Sequence, residues 1–251
     1  MIFVTGDTHR DFSRFNMDSF PEQKEMTRDD YVIILGDFGG VWNFVEESQD
    51  ERYRLDWLEQ KNYTTLFVDG NHENYDRLLL YPEKEWHGGI VNQIRPHVLH
   101  LKRGYVFELN GKMCFAFGGA RSHDIDAGIL ELDDPDLLEK KKDLDNRQAC
   151  YRINHFTWWE NEMPNEDEMN LALMNLNNCG NKVDFVFTHD CPSSTLALMS
   201  HGFYKPDKLN RFLEDVRSKL DYKRWFFGHY HDNKNITVQE LLLYEQILRI
   251  E

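Results

Sequence analysis

Short apolar runs that close on glycine recur along the chain, and in its first third stretches with a helical apolar period separate them. MIFVTG, YVIILG and TTLFVDG each read as a buried strand ending in a turn. They predict strands at Ile2–Thr5, Tyr31–Leu35 and Thr64–Val68. A polar segment rich in helix formers follows the first. Residues 46–61 follow the second, with Tyr53, Trp57 and Leu58 on one helical face, and a short helix over 75–81 follows the third. This β-α-β-α-β order predicts parallel strands joined by crossover helices.

The pattern then changes. Within 88–118, Gly88–Gly89, Arg95–Pro96 and Asn110–Gly111 punctuate short apolar runs, and YVFELNGKMCFAF reads as a hairpin across an Asn-Gly turn, feeding a second, antiparallel region. Residues 120–163, with the charged run LEKKKDLDNRQ and then YRINHFTWWENEMP, predict an excursion over one face of a single domain spanning 1–251. Helix over 166–179, strand over 183–187, helix over 206–220 and strand over 224–227 come next. The tail NITVQELLLYEQILRI is open between helix and two further strands.

Composition narrows the class. Of 251 residues 41% are hydrophobic and 14% aromatic, enough for a substantial core. No apolar window reaches the length of a membrane span, and MIFVTGDTH lacks the segments of a secretory signal, so a cytoplasmic location is expected. Cys114, Cys150, Cys179 and Cys191 are scattered without a C-x-x-C pair and are expected to be buried thiols. A formal charge of −15 argues against a general nucleic-acid coating role. Nothing in the sequence points to a protein partner.

The residues just past each strand carry the chemistry. The exits run Asp7-Thr8-His9, Asp37-Phe38-Gly39-Gly40, Asn71-His72-Glu73, His189-Asp190 and His229-Tyr230-His231. Parallel strands of an open sheet share one carboxyl edge, where ligands bind. Five exits would bring oxygen and imidazole donors together there without any thiolate. That set suits Mn²⁺, Fe²⁺, Zn²⁺ or Mg²⁺. Counting Asp7, His9, Asp37, Asn71, His189, His229 and His231, seven donors exceed what one catalytic ion with an open position takes, and suit two ions about 3.5–4 Å apart. One D-x-H or H-x-H alone is an ordinary loop; five in succession are not.

GDTH, GDFGG, GNHE, THD and GHYH, in this order, resemble the motif blocks of the calcineurin-like metallophosphoesterase family, over residues 1–75 and 183–231. The resemblance implies an α/β fold, two mixed sheets packed as a sandwich flanked by helices in four layers. It places Asp7, His9 and His231 on one metal and Asn71, His189 and His229 on the other, with Asp37 bridging and His72 beside the leaving group. The implied activity is phosphate-ester hydrolysis by a hydroxide bridging two divalent ions, on a small or nucleotide-like monoester or diester. Asn71 would also donate to the phosphate through its amide NH₂.

The resemblance departs from the protein Ser/Thr phosphatase branch. Arg10 follows His9 where that branch has glycine, and GDFGGVW lacks its Asp and its phosphate-binding Arg. A phosphoprotein phosphatase is therefore the second reading, and a non-catalytic scaffold that keeps the fold the third. Arg121 in GGARSHD and Arg152 in YRINHFTWW are the substitute cations for substrate, with Arg147 behind them. GGARSHD comes directly after the run MCFAF, so its loop can reach the same edge, where His123 and Asp124 read either as partners behind the ligands or, more commonly, as plain loop residues. Trp158 and Trp159 either stack on a base or, more commonly, anchor the excursion. Asp69 and Glu73 are expected to brace the GNHE turn and Asp190 to orient His189. His87, His97, His100, His155 and His201 fall outside the pattern.

Overall fold

Alternation within each strand divides its side chains between two apolar layers. Ile2, Val4, Ile33, Leu35, Leu66 and Val68 face one way, into a cluster shared with Phe107, Cys114, Ala116, Phe185, Phe187 and Phe226. Phe3, Val32, Ile34 and Phe67 face the other way, into a second cluster with Phe12, Phe15, Leu55 and Leu58. The computed structural model describes residues 1–251.

The first sheet has seven strands: β1 (Ile2–Thr5), β2 (Tyr31–Leu35), β3 (Thr64–Val68), β4 (Glu83–Trp86), β5 (Gly89–Arg95), β6 (Val98–Leu101) and β15 (Leu248–Arg249). Their order is β15-β1-β2-β3-β6-β5-β4. β1, β2, β3 and β6 are parallel, and β4, β5 and β15 pair antiparallel at the edges. The second has six: β7 (Tyr105–Leu109), β8 (Lys112–Phe117), β11 (Lys182–Thr188), β12 (Asp221–Phe227), β13 (Lys234–Asn235) and β14 (Glu240–Leu242), in the order β13-β14-β12-β11-β8-β7. There β8, β11, β12 and β14 are parallel. The β7–β8 hairpin turns on Asn110 and Gly111, at φ 50° and 75°, the left-handed pair that an Asn-Gly turn favours.

Helices cover both outer faces. α1 (Gln49–Glu59) packs on the first sheet and α4 (Glu166–Asn178), α5 (Ser193–Met199) and α6 (Lys208–Arg217) on the second, where Met169, Leu196, Leu209, Leu213 and Val216 join Phe115, Val186 and Phe227. The four layers are helix, sheet, sheet, helix, as expected. No helix is long and apolar enough to cross a membrane.

Several local expectations are corrected. The segment after β1 holds no α-helix; it runs through two 3-10 turns, Ser13–Phe15 and Pro21–Glu25, and buries Phe12, Phe15 and Phe20. Pro21 denies the chain a continuous helix through this stretch. The buried stripe of α1 is Glu51, Leu55 and Leu58, while Tyr53 is exposed and Trp57 only half-buried beneath Lys61. α2 (Tyr75–Leu78) is one turn long. In the tail the strand alternative holds: β14 and β15 lie within it, β13 ends on its first residue, and β15 crosses to the edge of the first sheet. Cys114 and Cys191 are buried, but Cys179 is half-buried and Cys150 exposed, and all four are free thiols.

The excursion forms a two-stranded ribbon, β9 (Ile129–Leu130) and β10 (Arg152–Ile153), around the largely exposed α3 (Leu137–Asn146). Trp159 anchors it. Its ring is buried against Trp42, and its Nε1 donates to Asp76 Oδ2 at 2.7 Å.

Candidate active site

The exits of β1, β2 and β3 in one sheet and of β11 and β12 in the other meet at a single place, as expected. Asp7, His9, Asp37 and His231 bring one donor atom each within 4.8 Å of one another, and so do Asp37, His189 and His229. The two groups share Asp37. His231 Nε2 lies 3.1 Å from Asp7 Oδ2, His9 Nε2 lies 3.6 Å from Asp37 Oδ2, and His189 Nε2 lies 3.2 Å from Asp37 Oδ1.

The backbone is bent to achieve this. His9, Asp37, His229 and His231 all adopt left-handed φ between 44° and 70°, costly for side chains with a Cβ. Two glycines explain the motif spelling. A Cβ on Gly36 would sit 2.2 Å from His189 Nδ1, and one on Gly70 would sit 2.2 Å from Asp37 Oδ1 and 2.8 Å from His189 Nε2. Asp37 and His189 therefore pack against the bare backbone of another motif.

Of six buried side-chain polar atoms that make no hydrogen bond, three lie here: Asp7 Oδ2, Asn71 Oδ1 and His189 Nε2. Burying a carboxylate oxygen, an amide oxygen and an imidazole nitrogen without partners is costly. All three belong to the expected donor set. His9 Nε2 and His231 Nε2 also come within 3.0 Å of each other beside two carboxylates. Such a cluster fits a divalent cation.

The electrostatics agree. Burial opposes ionisation of Asp37 and His189 alike, yet their mutual attraction wins, holding the carboxyl far below its usual range and the imidazole far above. The pocket thus stabilises positive charge between its carboxylates, and a proton on His189 is the charge a metal would displace. Burial pushes His229 well below and His9 below the ordinary histidine range, so both are neutral and able to donate a lone pair. Contact with Asp7 raises His231.

Supporting contacts hold the exits in register. His189 Nδ1 meets Leu35 O at 2.7 Å, which fixes that ring and leaves Nε2 facing Asp37. Asp7 Oδ1 accepts from His229 N, and Asp37 Oδ1 from His72 N. Glu73 accepts from Phe38 N and Gly39 N, tying the β3 exit to the β2 exit as expected of a brace. Asp69 bonds to Tyr75 Oη, His100 Nε2 and Arg103 in a buried network behind the turn. The expectation for Asp190 is corrected: it accepts from Tyr230 Oη and Cys191 N, and a backbone carbonyl orients His189 instead.

His72 stands at the rim, with its ring near those of His9 and Trp42. Arg152 reaches it from the excursion, Nη2 lying 3.2 Å from His72 Nε2. An arginine only donates, so Nε2 is the acceptor and the ring proton sits on Nδ1. Burial pulls His72 down to about 4 against the opposing pull of Asp37. Arg152 is itself buried, held by Asp124 and by Thr157 O. Arg121 is exposed and lines a side cavity of about 270 Å³ with His123, Asp190, Tyr204 and Tyr230. Arg147 pairs on the surface with Asp143.

For the loop after β8, the commoner of the two sequence readings is the one corrected. His123 and Asp124 are not idle loop: His123 Nε2 lies 2.8 Å from His229 Nε2, and Asp124 holds Arg152. Ser122 and Glu162 fasten that loop, with Ser122 N and Oγ donating to the Glu162 carboxylate. The available signal was the position of GGARSHD directly after β8, which runs parallel to β11 and leaves at the same edge. Arg103 had no motif to mark it.

None of the curated proteins compared with the chain matches it. The sequence model of the calcineurin-like phosphoesterase family matches residues 1–233, including the middle segment that the motif blocks leave uncovered. With that match over most of its length, and metal-capable groups at the shared edge, the chain belongs to the calcineurin-like phosphoesterase family, whose members hydrolyse phosphoesters with the help of divalent metal.

Proposed function

We propose that the protein hydrolyses small or nucleotide-like phosphate esters at a pair of divalent ions. In this reading Asp7, His9 and His231 hold one ion, Asn71, His189 and His229 hold the other, and Asp37 bridges them. The observation that carries it is the sharing of Asp37 between two converging donor groups, with Asp7 Oδ2, Asn71 Oδ1 and His189 Nε2 unpartnered in the interior. When bound, the ions supply an acidified water and Lewis-acid contacts for phosphoryl oxygens.

The protein's own residues do the rest. Asp7 and Asp37 are the two anionic members of the proposed shell, so the loaded site keeps a net positive charge that draws phosphate despite the acidic surface. Asn71 Nδ2 can donate to a phosphoryl oxygen; at 3.5 Å its contact with Ser122 Oγ is loose enough to yield. Arg152, brought to the rim by the excursion, is the cation that meets the ester beside His72. His72, neutral at neutral pH, engages the departing oxygen as a hydrogen-bonding ring. Arg121, in the adjoining cavity, meets the more distant part of the substrate.

The test is metal analysis of the purified protein, followed by turnover of a chromogenic monoester, a chromogenic diester and a phosphopeptide. Chelator-sensitive turnover of either small ester supports this reading. Turnover of the phosphopeptide alone would move the assignment to a phosphoprotein phosphatase, and metal binding without any turnover would move it to a scaffold.

A further inference from the structure

We propose that His123 is a positioning residue for His229, accepting the outer ring N–H of that ligand so that its other nitrogen is presented to the metal. The inference rests on the dinuclear reading above. A metal-bound imidazole nearly always donates its second N–H to a fixed acceptor, which sets both the tautomer and the ring orientation. His189 shows the arrangement in this protein: Nδ1 is engaged by Leu35 O, and Nε2 is the unpartnered atom facing Asp37. His229 repeats it with a side chain in place of a carbonyl. Its Nε2 is engaged by His123 Nε2 at 2.8 Å, and the ring offers a nitrogen to the group it forms with Asp37 and His189; with Nε2 taken, that place falls to Nδ1 in this proposal.

His123 is a partner and not a further ligand. The other close imidazole pair, His9 and His231, converges beside Asp7 and Asp37, as two ligands of one ion should. His123 belongs to neither group of converging donors. As acceptor it carries its proton on Nδ1, away from His229.

The ring is held in place from two sides. Ser122 fastens the backbone to the buried Glu162. The His123 ring lies nearly parallel to that of Tyr204, at 6.2 Å and 21°, and Tyr204 lies nearly parallel to Tyr230, at 6.0 Å and 20°. Tyr230 follows His229 in the chain, and its Oη bonds Asp190. The loop between α5 and α6 thus supports the outer face of this metal ligand.

Isothermal titration with Mn²⁺ on the wild type, His123→Ala and His123→Gln tests this, the glutamine Oε1 replacing the lost acceptor. The wild type should bind two ions. His123→Ala should weaken one of them by about 10–100-fold, the usual cost of losing such a partner, and leave the other unchanged. His123→Gln should recover most of the loss. Wild-type affinity for both ions in His123→Ala would overturn the inference, as would equal weakening in both variants. Fewer than two ions on the wild type would overturn the dinuclear reading itself, and this inference with it.

Discussion

Asp37 is the residue on which both halves of the site depend, because it is the member the two donor groups share and its carboxylate also receives the His72 backbone N–H. Asp37→Asn removes a charge from both groups at once. It should weaken both ions by more than the roughly 100-fold that an outer partner costs and reduce turnover to near background; metal content and turnover like the wild type would refute the bridging role. His72 makes the opposite case. His72→Ala should keep the metal and lose about 10²–10⁴-fold in kcat, most for esters with poor leaving groups. Loss of metal, measured by elemental analysis, would show that His72 belongs to the shell. The motif residues were legible because each donor group follows directly on an apolar strand run, closed by glycine in four of the five exits. His123 and Arg103 were less so, since the loop of one could be placed at the edge but its contact with His229 could not, and the other answers a buried charge far away in sequence.

At the scale of elements, the site is an edge shared by two sheets, and its exits are held by contacts between motifs. Gly70→Ala should therefore damage two motifs at once, since its Cβ would collide with Asp37 and His189. The network of Asp69, Arg103, Tyr75 and His100 holds the β3 exit from behind. Arg103→Ala would leave the buried Asp69 without its cation. Breaking such a pair costs about 3–5 kcal/mol, which lowers the Tm of a chain this size by about 6–20 °C. An unchanged Tm in calorimetry would show the pair to be dispensable. Strand runs were legible in the sequence because apolar period and terminal glycine agree. Residues 6–30 were not, because they bury aromatic side chains from tight turns that leave no helical period, and the stripe of α1 was misread because the bulky Tyr53 faces solvent.

For the whole molecule, the two sheets bring five loops together around a site that favours positive charge. In metal-free protein His189 supplies that charge. Its pKa is raised on folding, so the stabilisation is full below the ordinary histidine value of 6.5 and is lost as pH climbs through the raised value. Metal displaces that proton, so the rise in Tm on adding Mn²⁺ should grow from pH 6.5 towards alkaline pH; a rise that shrinks over this range would contradict the picture. Anomalous diffraction from crystals grown with Mn²⁺ would locate the ions themselves. Two peaks about 3.5–4 Å apart are expected, with Asp37 between them, Asp7, His9 and His231 around one, and Asn71, His189 and His229 around the other. A single peak, or two peaks that do not share Asp37, would contradict the dinuclear reading.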